Sequence, residues 1–238
     1  MPTICVTLSG NAGVCISAQK RKIWVDALYE GAGETFSPMN DALAHQVLSS
    51  EAFSNPDFIC YTHCHPDHYS KELTAQAMNR WQKAKVFSPQ QDLEGQILVQ
   101  GQEYVVADDD VSIRFIALPH EGSQYQKVKH YGLLIQLSGC NIFLPGDCSI
   151  AAPELAKAVA GVKIHLAILD FPWLTLRRGQ DFLRDIIQPE HILAYHLPFE
   201  QDDVNQYRKS AEKAKNAREK MADIRLLYNP LQTEQIII

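Results

Sequence analysis

No stretch of this chain approaches the ~18 apolar residues that a bilayer-crossing helix requires; the best run, Ile164–Phe171, is interrupted by His165 and Asp170. A basic surplus is also missing: 22 Lys and Arg face 28 Asp and Glu, a formal charge of −6. Such a surface repels polyanions, which disfavours general nucleic-acid binding. There is no linker rich in Gly, Ser or Pro, no internal repeat and no charge block, so one domain over residues 1–238 is expected. The opening MPTICVTLSGNAG has neither a basic start nor a long apolar stretch, unlike a secretory signal. With six cysteines in a long chain, reduced thiols and a cytoplasmic location are expected. Hydrophobic residues make up 46% and charged residues 21%, which excludes a disordered chain.

The chain begins with three short strands, Thr3–Leu8, Val14–Ser17 and Ile23–Val25, separated by SGNAG and QKRK. Ser37-Pro38 reads as a helix opening, with Ser as cap and Pro at the first helical position, followed by an apolar stripe of Leu43, Val47 and Leu48. Asp57–Tyr61 reads as a buried strand running into THCHPDH, and Ser70 as the cap of a helix carrying Leu73, Ala77 and Trp81. Further strands are expected at Tyr104–Val106, Val111–Ala117, Tyr131–Leu137 and Asn141–Leu144, the last two joined by a hairpin at Ser138-Gly139-Cys140. Then helix and strand alternate: helix Pro153–Ala160 stopping at Gly161, strand Ile164–Leu169, helix Arg178–Ile187, strand His191–Tyr195 and helix Val204–Met221. The last helix would bury Val204, Tyr207, Ala211, Ala214 and Met221 on one face. Strands in the middle with helices on both sides permit two packed sheets covered by helices.

Chemistry concentrates in Thr62-His63-Cys64-His65-Pro66-Asp67-His68. Along an extended segment side chains alternate, so His63 and His65 share one face while Cys64 points to the other. Two imidazoles from one strand end can hold one metal ion. Pro66 ends the extended geometry, and Asp67 and His68 can then address a second ion. Imidazole and carboxylate donors suit zinc, iron or manganese.

THCHPDH resembles the HxHxDH signature of the metallo-β-lactamase superfamily. Other motifs of that family follow in order: Leu118-Pro119-His120, Phe143-Leu144-Pro145-Gly146-Asp147 and Ala194-Tyr195-His196, with Trp24-Val25-Asp26 as the early strand ending in a supporting aspartate. The resemblance covers roughly residues 3–200. It implies a four-layer αββα sandwich and a binuclear site: His63, His65 and His120 on one ion, Asp67, His68 and His196 on the other, Asp147 bridging them, and Asp26 supporting the loop. Two divalent ions are implied, zinc first and manganese or iron as substitutes. A hydroxide held by both would be the nucleophile, with Asp67 orienting it and relaying a proton.

PHEGSQY as the third motif differs from the PGHT-type segment of glyoxalase II and many lactamases, and SGNAG near the start, followed by a strand ending in Asp26, looks more like the L-ascorbate-phosphate-lactonase-like and phosphodiesterase-like members. The expected reaction is therefore hydrolysis of a small ester, lactone or phosphodiester. An iron-dependent oxygenase or redox protein on the same fold, a nuclease-type phosphodiesterase and a non-catalytic metal sensor are the alternatives. His65 stands where flavodiiron oxidoreductases carry a glutamate, which argues against that redox branch. His130 could line the pocket, and Arg177 and Arg178 could bind an anionic substrate at its rim. Cys148 reads as a small buried residue rather than a soft ligand, and His165 as a core histidine. A small molecule is the expected partner, with no membrane, and an oligomer is compatible with the sequence.

Overall fold

Burial along the strands alternates between two interiors. Ile23 and Val25 pack in one apolar cluster while Trp24 packs in another, and Phe58 and Cys60 divide from Ile59 in the same way. A strand covered on both faces belongs to the middle of a layered structure. The computed structural model describes residues 2–31, 36–217 and 222–238, and it contains two seven-stranded sheets.

In the first sheet β1 (Thr3–Leu8), β2 (Val14–Ala18) and β3 (Arg21–Val25) form an antiparallel meander. β4 (Phe58–Cys60), β5 (Lys85–Ser88) and β6 (Ile97–Leu98) continue it in parallel from β3. The second sheet repeats this plan. β7 (Glu103–Asp108), β8 (Val111–Ala117), β9 (Tyr131–Leu137) and β10 (Cys140–Leu144) are antiparallel. β11 (Leu166–Asp170), β12 (His191–Tyr195) and β13 (Asp223–Leu226) then run parallel to β10. β14 (Thr233–Ile237) returns to the outer edge of β1.

The inner faces of both sheets share one core, including Val6, Ile16, Phe58, Phe115, Ile135, Ile168 and Leu193. Outside the first sheet lie α1 (Asp41–Ser49) and α2 (Lys71–Arg80). Outside the second lie α3 (Pro153–Val159), α4 (Pro172–Thr175), α5 (Arg177–Phe182) and α6 (Tyr207–Asn216). The result is the expected αββα sandwich. None of the helices is long and apolar enough to cross a membrane, among the described residues. The six cysteines are free thiols.

Several boundaries differ from expectation. α1 is capped by Asn40, whose side chain accepts from the Leu43 N–H at 2.9 Å, and not by Ser37. Ser37 instead turns its N–H toward Asp202. Phe171-Pro172-Trp173, which directly after a strand reads as a loop, instead enters a helix anchored by the buried Trp173 and Leu174. The expected helix Val204–Met221 begins at Tyr207, because the Asp203 carboxylate accepts from the Tyr207 and Arg208 N–H groups. Val204 is therefore 85% exposed; Met221 lies outside the described residues. His165 is half-buried and precedes β11, where its Nδ1 accepts from the Asn141 N–H at 2.9 Å. β5, β6, β13 and β14 escaped notice; of β14 only Ile236 is buried, so no alternation marks this edge strand.

Candidate metal centre

β3 and β4 are parallel neighbours whose ends are level, Val25 opposite Cys60. Asp26 directly follows β3 and Thr62 lies two residues beyond β4, and there the two meet. Asp26 sits at φ 50°, a left-handed conformation costly for a residue with a side chain. It is fully buried, and accepts from the Thr62 N–H at 2.8 Å, the Thr62 Oγ1–H at 2.5 Å and the His68 Nδ1–H at 3.0 Å. Burial pushes its carboxyl up and these hydrogen bonds act against that; three converging donors select the carboxylate.

Since Thr62 Oγ1 donates to Asp26, it is left to accept from the His63 Nδ1–H, 3.0 Å away. His120 Nδ1 lies 2.7 Å from the Glu121 carbonyl oxygen, which can only accept. His196 Nδ1 lies 2.9 Å from Asn11 Oδ1, in the SGNAG turn. Four rings are thus assigned the Nδ1–H tautomer by their partners, and each turns a bare Nε2 lone pair inward. Those lone pairs converge. His63 Nε2 is 3.3 Å from His120 Nε2 and 3.1 Å from His65 Nδ1; His68 Nε2 is 3.3 Å from His196 Nε2.

Asp147 reaches this cluster from the end of β10. Gly146 makes the turn at φ 58°, and a Cβ there would come within 2.8 Å of His130 Nε2 and 3.1 Å of Thr62. Asp147 Oδ2 stands 3.3 Å from His68 Nε2 and 3.9 Å from His120 Nε2, while Oδ1 is 3.7 Å from His196 Nε2. Oδ1 is buried with no hydrogen-bond partner. Asp67 Oδ2 approaches His196 and His68 at 3.8 and 3.9 Å.

Acceptors facing acceptors at such distances repel unless a cation lies between them. Two donor groups are compact enough to hold one, each with ligand atoms within 4.8 Å: His63, His65 and His120, and Asp67, His68, Asp147 and His196. The orphaned Asp147 oxygen and the nitrogen–oxygen donor set suit divalent metal ions. A third triplet, Asp26, His63 and His68, is also compact, but the Asp26 carboxylate is engaged by Thr62 and His68.

The remaining expected residues fall around this centre. His130 belongs to neither donor group: its Nδ1 faces the Leu118 carbonyl, its ring is 5.1 Å from that of His63, and burial lowers its pKa to about 3. Cys64 points away, toward Ser88, and Cys148 is buried in the outer apolar cluster. Arg177 is 93% exposed beside Asp181, and Arg178 donates to Glu121 at 2.8 Å. Neither arginine is among the residues lining the cleft over the centre, about 400 Å³ bounded by Phe36, His65, Pro66, Asp67, His120, Tyr125 and Asp147. Phe36 packs on His196 with centroids 4.5 Å apart, and Tyr125 lies 4.8 Å from both His65 and His120. Sequence reasoning did not single out Phe36, Tyr125 or Asn11. SGNAG stood out as a turn, and an amide between its glycines was the available signal for Asn11.

The family described as "Beta-lactamase superfamily domain" matches residues 21–179. No curated protein matches the chain. Among solved structures it is similar to Igni18, a metallo hydrolase of the archaeon Ignicoccus hospitalis, at 17% identity and a TM-score of 0.66, covering 99% of each chain. An isothiocyanate hydrolase from Delia radicum gut bacteria superposes with a TM-score of 0.65 at 13% identity, covering 98% of each chain. CmlA, a diiron β-hydroxylase from Streptomyces venezuelae, gives 0.63 at 13% identity, with 99% of this chain and 54% of CmlA covered. Identities this low establish a shared fold.

Proposed function

The chain belongs to the β-lactamase superfamily, and on that premise we propose that it is a metal-dependent hydrolase of a small ester, lactone or phosphodiester, working with two divalent ions, zinc first. One observation carries this reading. Nε2 lone pairs of four histidines, each fixed by a partner at Nδ1, converge beside the Asp147 carboxylate, whose buried Oδ1 has no hydrogen-bond partner of its own.

His63, His65 and His120 would hold one ion and Asp67, His68 and His196 the other, with Asp147 between. Bound ions would supply Lewis acidity and lower the pKa of a water to about 7. The chain's own groups do the rest. Asp26 and Thr62 keep His63 and His68 in the donor tautomer, so that neither ring rotates when substrate enters. Asp67, on the cleft wall, orients the attacking water and takes its proton. Phe36 and Tyr125 narrow the entrance and displace water from the two ends of the centre.

Metal content after reconstitution, followed by a panel of ester, lactone and phosphodiester substrates with oxygen uptake recorded in parallel, tests the proposal. We expect two ions per chain and hydrolysis without oxygen uptake. A chain that takes up no metal, or one that consumes oxygen and hydrolyses nothing, would overturn it. The second outcome would select the iron-dependent oxygenase instead, a reading to which the fold shared with CmlA lends only architecture.

A further inference from the structure

Beside the metal cleft lies a smaller recess of about 110 Å³, lined by Phe36, Asp147, Asp170, Phe171, Pro172 and His196. Asp170 is the last residue of β11 and stands opposite Tyr195, the residue before His196. Leu166 and Ile168, two and four residues earlier, face the core between the sheets, so the strand's alternation turns Asp170 inward too. Its Oδ1 is buried and has no hydrogen-bond partner, and it belongs to neither metal-holding group. An aspartate breaking an apolar strand end, without a cation or donor at that oxygen, is costly to keep there for packing alone.

We propose that the recess receives the leaving group of the substrate, and that Asp170 donates the proton the departing atom needs. The inference rests on the hydrolase reading above. Phe36, Phe171 and Pro172 suit a short apolar alcohol of a few carbons. Burial with no donor at that oxygen turns the carboxyl toward its neutral, donating form. For an ester the steps balance as follows. Water's oxygen bonds to the carbonyl carbon and one of its protons passes to Asp67. The carbon–oxygen bond to the alcohol then breaks, its electron pair goes to the alcohol oxygen, and that oxygen takes the proton of Asp170. A carboxylic acid and an alcohol leave, and the proton on Asp67 returns to Asp170 through solvent in the cleft.

The test compares an ethyl ester with the 2,2,2-trifluoroethyl ester of the same acid, similar in size but with an alkoxide that departs far more readily. Asp170→Asn keeps the shape and removes the transferable proton. We expect the metal-loaded variant to lose at least about a hundredfold in kcat on the ethyl ester, to lose much less on the fluorinated ester, and to keep the wild-type metal stoichiometry. Equal losses on both esters, no loss on either, or a lost metal ion would each overturn the assignment. Should the variant fail to fold, the wild-type enzyme decides: a donor at Asp170 predicts similar rates for the two esters, and a strong preference for the fluorinated one refutes it. If the loaded wild-type protein hydrolyses neither ester, it is the ester-hydrolase reading that falls.

Discussion

The two ends of β3 and β4 carry charge in opposite ways. At the ends that start these strands, Arg21 reaches Asp57 at 2.9 Å, Asp110 at 2.9 Å, Asp109 at 3.4 Å and Asp108 at 3.6 Å. This clasp ties the first sheet to the β7–β8 turn of the second, at the solvent boundary, with opposite charges in contact. At the far ends, Asp26, His63, His68 and Asp147 are buried or nearly so, and acceptors face acceptors. Charges selected to hold a fold together are paired where they lie. An arrangement that repels itself until a cation arrives is selected for that cation.

The strongest way to break this contrast is to remove the group that spans the two halves of the centre. Asp147→Asn keeps the volume and discards the anionic charge that offsets repulsion between two nearby cations. We expect one ion to be lost preferentially and turnover to fall by several orders of magnitude, read by metal analysis and steady-state kinetics. His63→Ala should abolish turnover and lower metal stoichiometry. Chelation should lower the Tm of the wild-type protein and added zinc should restore it, since binding to the folded state alone stabilises it by roughly 4 kcal/mol at a thousandfold excess over Kd. Two retained ions with near-native activity in Asp147→Asn would show that the centre is not shared through this residue.

A smaller effect is expected one step back from the ions. Asp26→Asn leaves an amide where three donors converge, so either Thr62 or His68 loses its acceptor. Metal affinity should weaken about ten- to a hundredfold, measured by competition with a chromogenic chelator. Asn11→Ala removes the acceptor that fixes His196 and should weaken the second ion while sparing the first. Equal loss of both ions in Asn11→Ala would mean that the turn supports the fold generally and not His196.

The same contrast explains how much the sequence disclosed. The His63–His68 run was legible because the chain supplies four donor side chains in six consecutive residues after a buried strand. His120, Asp147 and His196 carry little local signal; each lies at the end of a different strand, and only the ordered resemblance picked them out. Asn11, Phe36, Tyr125 and Asp170 gain their meaning from folding alone, since each is brought to the centre by an element remote from the metal-binding run. The helices misplaced at Ser37 and Val204 were decided by side-chain caps, Asn40 and Asp203, that compete with equally plausible neighbours. The Arg21 clasp left no trace, because its carboxylates come from both sheets.

The mildest test lies at that clasp. Arg21→Ala should leave metal content and kcat unchanged, because Arg21 and Asp26 sit at opposite ends of the strand region and no charge connects them. Stability should fall modestly: exposed ion pairs contribute little individually, and a network of this kind in a chain of this size corresponds to about 2–4 °C in Tm. The pH dependence has a definite sign. The Asp108 carboxyl is held below its ordinary value, first by the Lys85 ammonium and then by Arg21. A carboxylate depressed on folding stabilises the native state above its unfolded pKa of about 3.9, and that stabilisation disappears as pH falls through the folded value. The Tm difference between wild type and Arg21→Ala should therefore be full near pH 7 and shrink below about pH 4. Metal release at acid pH affects both proteins alike and cancels in that difference. A gap that stays constant into acid would mean that Arg21 acts through the packing of its aliphatic stem and not through its carboxylates. A loss of metal in Arg21→Ala would show that the two ends of the sandwich are coupled after all.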